Sequence, residues 1–203
     1  MKKLTAAINI FYKFAIQNTR TELKIQIEEN IKNMNFSDKQ VILMRGISGA
    51  GKSEAINTIK KLYPETKIVS ADFYFMKDET GNVKENIYNF DPSKLREAHG
   101  ESQSQFKTYL EGGQSPIIVD NTNLRKWEME FYIKTANELG YNYKIINIDT
   151  PVDIIKKRQK NRGVKEVPEQ AVDRMNQALQ TEELPDDIKD RMHTFEGYSK
   201  EDL

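Results

Sequence analysis

Four short apolar runs divide the middle of the chain: Val41–Arg45, Lys67–Ser70, Pro116–Asp120 and Tyr143–Ile148. Each is too short for a stable helix and is bounded by polar or turn residues, which predicts a buried strand. Between them, apolar positions recur at helical spacing. Ala55, Ile56, Ile59 and Leu62 form such a stripe after the first run. Asp91-Pro92 reads as a helix start, with a capping carboxylate and proline at the first helical position. That helix runs to Leu110 and stops at Gly112-Gly113, with Gly100 weakening its middle. Arg125–Leu139 carries Trp127, Phe131, Thr135 and Leu139 on one stripe, which predicts Trp127 in the core. Asp149-Thr150-Pro151 opens another helix with a basic end, Lys156 to Arg162, broken at Gly163. Pro168 opens a further helix through Leu179. Strands alternating with helices predict an α/β fold, a parallel sheet covered on both faces.

The ends of the chain read differently. Leu4, Ala7, Ile8, Phe11, Phe14 and Ala15 share one helical stripe, and Leu23, Ile27, Ile31 and Met34 share another. Leu23, Ile25 and Ile27 also alternate, so a strand is open there. Residues 1–38 are expected to be an amphipathic helical extension that packs on the domain or on a partner, a second copy included. Phe36 to Gln40 reads as a linker, and residues 39–203 as one domain. Its segment 73–90 is aromatic and polar, an ordered flap; residues 156–168 form a lid; the acidic tail, Glu182 to Asp190, is expected to be helical.

Composition narrows the function classes. The chain has 203 residues, no cysteine, and a formal net charge of zero. Disulfides and thiolate metal sites are excluded, and two histidines, His99 and His193, make a structural zinc a poor fit. No apolar run reaches the length of a membrane span. Leu4 to Ile16 imitates a secretion signal, but Asn9 and Lys13 interrupt it, so the expected location is the cytoplasm.

The chemistry centres on Gly46-Ile47-Ser48-Gly49-Ala50-Gly51-Lys52-Ser53, which fits G-x-x-x-x-G-K-[ST] between a strand and a helix. Glycines let the backbone wrap a phosphate with its N–H groups pointing inward, and the helix start adds partial positive charge. Lys52 would reach the outer phosphates, and Ser53 would take a Mg²⁺ position. Asp72 follows the second strand, at the sheet edge where ligands gather, as a candidate general base or else a turn cap. Asp120 ends the third strand, as a group behind Mg²⁺ or a turn former. Arg158 and Arg162 lie four apart and can face one way. They either neutralise charge on a transferred group or form a solvated basic face. His99 either bonds an acceptor or is satisfied within the fold.

The phosphate loop, Val69-Ser70-Ala71-Asp72, Ile118 to Asn123, and Lys157-Arg158-Gln159-Lys160-Asn161-Arg162-Gly163 with Val167-Pro168 occur in this order in polynucleotide kinases. Ala98-His99-Gly100-Glu101-Ser102-Gln103 matches the Ala-His-x-x-x-Gln segment of related ATPase-like kinase domains. The resemblance covers about residues 41 to 178. It implies a P-loop kinase fold with a four-stranded parallel sheet. It implies transfer of the ATP γ-phosphoryl, with Mg²⁺, to a 5′-hydroxyl of DNA or RNA. Asp72 falls on the general base, Lys52 and Ser53 on the phosphate and metal ligands, and Arg158 and Arg162 on lid arginines. ATP contacts fall on Gly46, Ser48, Gly49, Ala50 and Gly51. Asn121 and Asn123 fall near the acceptor. Phe75 stands where the family has an arginine that holds the acceptor's phosphate. That departure keeps a second acceptor class open: a hydroxymethylated base in DNA, a nucleotide or a sugar nucleotide. A nucleotide-binding adaptor without transfer activity is the non-enzymatic alternative.

Overall fold

The computed structural model describes residues 24–198. The stripe over residues 4 to 16 lies outside the described residues. Five parallel strands form one sheet in the order β2-β3-β1-β4-β5. They are β1 (Gln40–Arg45), β2 (Lys67–Val69), β3 (Ile117–Val119), β4 (Asn142–Asp149) and β5 (Met192–Glu196). Val41 lies beside Ile117 on one side and Tyr143 on the other, so β1 is the sheet's centre. A central parallel strand has no wet face, and all six residues of β1 are buried.

Alternation along the strands sorts the core into two layers. Ile42, Met44, Ile118, Ile146 and Ile148 point to one face. There they meet α1 (residues 24–33), α2 (Lys52–Leu62), α6 (Val152–Gln159) and α7 (Glu169–Thr181). Val41, Leu43, Val69, Val119 and Ile145 point to the other. That layer is closed by α4 (Leu95–Glu111), α5 (Lys126–Glu138) and the short α8 (Asp186–Lys189). A third, smaller cluster of Ala71, Phe75 and Ala98 holds α3 (Asp72–Phe75) and the flap against α4.

Several expectations are corrected. The sheet has five strands, not four: the acidic tail contains one short helix and then β5, paired in parallel with β4. Only Phe195 of β5 is buried, so an edge strand with one inward residue leaves no apolar run to read. Residues 24–33 are helical, as the stripe of Ile27, Ile31 and Met34 predicts, and the strand left open there does not form. Ile27, Ile31 and Met34 are buried in the main core, while Ile25 is exposed. Gln40 belongs to β1 rather than to a linker, and it is fully buried, its amide nitrogen donating to the carbonyl of Val41 at 2.8 Å. Phe36 packs on Tyr63 with ring centres 5.1 Å apart. Trp127 is 68% exposed. The buried face of α5 runs through Met129, Tyr132, Thr135 and Ala136 instead. Asp91 does cap its turn, accepting from the Ser93 backbone N–H at 2.9 Å.

Candidate active site

All five strands deliver their carboxyl ends to one edge, where ligands collect in open α/β sheets. The loop from Gly46 to Gly51 leaves β1 there and enters α2. Two of its glycines are required by their backbone angles and surroundings. Gly46 has φ +140°, and a Cβ on it would lie 2.8 Å from the carbonyl oxygen of Ile148. Gly49 has φ +93°, and a Cβ on it would meet the Gln159 amide nitrogen at 2.7 Å. Neighbouring strand ends hold the loop's shape. The Gly46 N–H donates to the Thr122 carbonyl at 2.9 Å, and the Thr150 hydroxyl donates to the Ala50 carbonyl at 2.8 Å.

Lys52 is the second constant of the site. Its ammonium donates to the carbonyls of Gly46 at 2.9 Å and Ile47 at 3.2 Å, so it lies back along the loop. Burial lowers its pKa, while the charges of Asp120 and Asp72 work the other way and Arg162 adds to the lowering. Asp120 is pushed up by burial and by Asp72, and drawn down by Lys52, Lys165 and Arg162. Charges on Lys52, Asp72, Asp120, Arg162 and Lys165 thus act on one another at this edge. Arg162 donates to the Ser48 hydroxyl at 2.8 Å, and Arg158 donates to the carbonyl of Gly197 at 2.8 Å. Arg158 also approaches the Ala50 carbonyl at 3.4 Å, so both arginines reach the phosphate loop, although Arg162 follows the end of α6 rather than continuing it. Ser53 is exposed in the first turn of α2.

Asp72 opens α3 at the end of β2. Its carboxylate does not cap that turn: one oxygen accepts the Tyr88 hydroxyl at 2.9 Å. Burial and the Asp72 charge raise the Tyr88 pKa far above its ordinary value, so the phenol stays a donor. Among the described residues no group of three or more His, Cys, Asp or Glu side chains could hold a metal.

The family description AAA domain, AAA_33, matches residues 41–181. The chain belongs to this AAA domain family. Human NEDD4-binding protein 2 is 32% identical over 144 residues, which are 71% of this chain and 8% of that protein. The chain thus spans less than a tenth of that relative. The structure of the Pnkp1/Rnl/Hen1 RNA repair complex superposes with a TM-score of 0.57 at 19% identity, over 72% of this chain and 45% of that one. The AvrRxo1-ORF1:-ORF2 structure with ATP gives 0.56 at 18% identity, over 88% and 64%. At these identities the likeness is one of fold, that of P-loop kinase-like domains.

Within the AAA domain, other residues singled out in the sequence have different surroundings. Asn121 accepts from the Ala71 N–H at 3.0 Å and donates to the Tyr132 hydroxyl at 3.3 Å, tying the ends of β2 and β3 together. Asn123 is fully buried, donates to the Met44 carbonyl at 2.7 Å, and has φ +47°. An acceptor cannot reach it, because its side chain points into the core. Phe75 is 3% exposed and packs edge-on against Tyr74, Tyr88 and Phe90. It builds the flap rather than lining an open surface. His99 is exposed on α4.

Three residues of this AAA domain site carried little sequence signal. Gln159 is 2% exposed and donates to the Ser48 carbonyl at 2.6 Å. Its oxygen accepts from the Val167 N–H at 3.1 Å and from Arg162 at 3.3 Å, joining the phosphate loop to the segment that follows α6. Tyr88 reaches Asp72 across 16 residues of flap. Lys165, in the 3₁₀ turn Gly163–Lys165, places its ammonium 5.4 Å from the Tyr88 ring centre. Elsewhere the basic face is neutralised: Lys156 pairs with Asp173 at 2.7 Å, and Lys160 with Glu169 at 4.0 Å.

Proposed function

We propose that this chain is an ATP-dependent phosphotransferase that moves the γ-phosphoryl group to an alcohol, with the 5′-hydroxyl of DNA or RNA as acceptor. The observation that carries this reading is a phosphate-type loop on which Lys52 and Arg162 both bond, with the Asp72 and Asp120 charges acting on Lys52. Phosphoryl transfer asks chiefly for positioning and charge stabilisation. Backbone N–H groups of Ser48, Gly49, Ala50 and Gly51 would cradle phosphates, with Lys52 on the outer ones. Arg162 is placed to neutralise charge that develops on the transferred group. Arg158 would act on the same nucleotide. Asp72 would orient the acceptor hydroxyl and accept its proton, with Tyr88 fixing one carboxylate oxygen so that the other faces the acceptor.

The Ser53 hydroxyl and the Asp120 carboxylate suit Mg²⁺, a hard cation that takes one or two protein oxygens and completes its shell with water and phosphate. Bound there, it would offset negative charge between the outer phosphates.

A second acceptor class keeps specific support. Phe75 is buried within the flap and offers no charge, and Lys156 and Lys160 face carboxylates rather than an open groove. A hydroxymethylated base, a nucleotide or a sugar nucleotide needs no long basic track. The deciding experiment is transfer of label from γ-labelled ATP to a panel of 5′-hydroxyl DNA and RNA, DNA with hydroxymethylated bases, and nucleosides. Label on the 5′ ends of oligonucleotides is expected. Label only on modified bases or small acceptors selects the second class, and ATP binding without label on any acceptor overturns the kinase reading.

A further inference from the structure

The carboxylate proposed above as general base already holds a hydroxyl group. The Tyr88 phenol donates to one oxygen of Asp72 at 2.9 Å. An acceptor alcohol must make the same contact before transfer: an O–H donated to the carboxylate that will take its proton. Specific packing brings the tyrosine there. Its ring lies edge-on to Phe75 and parallel to Phe90, with centres 6.1 Å apart in each case. The next residue, Asn89, donates its backbone N–H to the Phe75 carbonyl at 2.8 Å. Phe75 ends the short helix that Asp72 begins, so α3 presents the carboxylate at one end and holds the tyrosine at the other.

The same ring meets the segment that bonds the phosphate loop. The Lys165 ammonium lies 5.4 Å from its centre, and the Lys165 backbone N–H donates to the Arg162 carbonyl at 3.4 Å. Arg162 in turn donates to the Ser48 hydroxyl at 2.8 Å, and its charge acts on the Tyr88 phenol. A phenol bonded to that carboxylate and subject to that arginine has what an acceptor needs: a group to take its proton, and a cation for the charge of the transferred phosphoryl. The other hydroxyl beside Asp72 is committed to backbone. Ser70 donates to the Asp120 carbonyl at 2.7 Å and accepts the Asp72 N–H at 3.2 Å.

We propose that Tyr88 is itself a phosphoryl acceptor: with Mg²⁺–ATP bound and no other acceptor in place, the chain phosphorylates its own Tyr88 hydroxyl. The proposal rests on the kinase reading above. The phenol oxygen bonds to the γ-phosphorus, the bond from that phosphorus to the β–γ bridging oxygen breaks, and ADP leaves with the electron pair. The phenol proton passes to Asp72 and from there to solvent. An acceptor alcohol on the other carboxylate oxygen competes for the same γ-phosphoryl group. Once phosphorylated, Tyr88 has no O–H to donate, so the modification also removes the bond that orients Asp72.

The test incubates the parent chain with γ-labelled ATP and Mg²⁺, without an acceptor, and maps the label by mass spectrometry of its peptides. The expected result is acid-stable label on Tyr88, at most one phosphate per chain, formed at a rate per chain that does not change with protein concentration. Lys52→Ala should stay unlabelled, which excludes a contaminating kinase. Tyr88→Phe keeps the ring and its packing and should lose the label. Label on another residue, label kept in Tyr88→Phe or in Lys52→Ala, or an unlabelled parent overturns the proposal. A rate per chain that rises with protein concentration shows transfer between copies and overturns it as well. The same preparation is then given the acceptor panel of 5′-hydroxyl DNA and RNA, modified-base DNA and nucleosides. An unlabelled chain that labels one of these leaves the kinase reading standing without the proposal, and one that labels none of them counts against both.

Discussion

Replacing Asp72 by asparagine removes one atom's chemistry and little else. In the parent, one carboxylate oxygen accepts the Tyr88 hydroxyl at 2.9 Å, which leaves the other free to meet an acceptor hydroxyl. Asparagine can keep the first bond through its carbonyl oxygen. Its amide nitrogen then takes the second position, where it can donate but cannot accept a proton. The fold loses at most one hydrogen bond, so unfolding free energy should change by less than about 1 kcal/mol. The start of α3 is not at risk, because Ala71 precedes it and no side chain caps it. Transfer should fall by about 10²- to 10⁴-fold, equal to about 3 to 5 kcal/mol of barrier. Binding of Mg²⁺–ATP should be nearly unchanged, since Lys52 and Arg162 keep their places. Single-turnover transfer, calorimetric ATP binding and thermal melting on this one variant separate the outcomes. A matching loss of ATP affinity, partly restored by extra Mg²⁺, would make Asp72 a metal ligand. Turnover within tenfold of the parent would refute the base assignment.

Two further perturbations probe other parts. Arg162→Ala removes the donor on Ser48, and should cut turnover by about 10²-fold, more than it weakens ATP, if the arginine acts on charge that develops in the transition state; equal losses in titrations and in steady-state rates would assign it to ground-state binding. Ile31→Ala empties a fully buried position where α1 meets the core, and should cost about 2 to 5 kcal/mol in denaturant unfolding; a loss under about 0.5 kcal/mol would show that α1 packs only loosely.

The parts legible in the sequence are those fixed by local pattern. The phosphate loop follows from glycine spacing, and Asp72 and Asp120 follow from acids placed just after apolar runs. Where function depends on contacts across the chain, the sequence is mute. Nothing near Tyr88 marks it as the partner of a carboxylate 16 residues away. Asn121 and Asn123 stand in a polar stretch that reads as an open edge, yet the fold turns both inward to tie strand ends. Trp127 shares a helical stripe with Phe131, but the core lies on the adjacent face, with Met129 and Tyr132. The strand β5 is hidden because an edge strand with Phe195 alone inside needs no apolar run. Its contribution is large all the same: Gly197, just beyond it, abuts the Ala50 carbonyl so closely that any Cβ would collide.

The packing of the flap bears on how such a site could work. The sheet and its covering helices share two large clusters, whereas the flap is held by a satellite of Ala71, Phe75 and Ala98, with Tyr74 and Tyr88 against it. Fewer buried contacts mean a lower cost of local opening. The flap can therefore part from α4 without disturbing the phosphate loop, whose anchors are Thr122, Thr150 and Gln159 on the rigid side. Opening would carry Tyr88 away from Asp72 and away from beneath Lys165 at once, because a single ring serves both. Closing would restore the hydrogen bond from Tyr88 to Asp72 and the contact of its ring with Lys165 together. An arginine in place of Phe75 could not do this: a guanidinium does not pack into an aromatic cluster at 3% exposure without a buried counter-charge. On this reading, the aromatic residue that departs from the polynucleotide kinase pattern is what packs the flap together, edge-on against Tyr74, Tyr88 and Phe90.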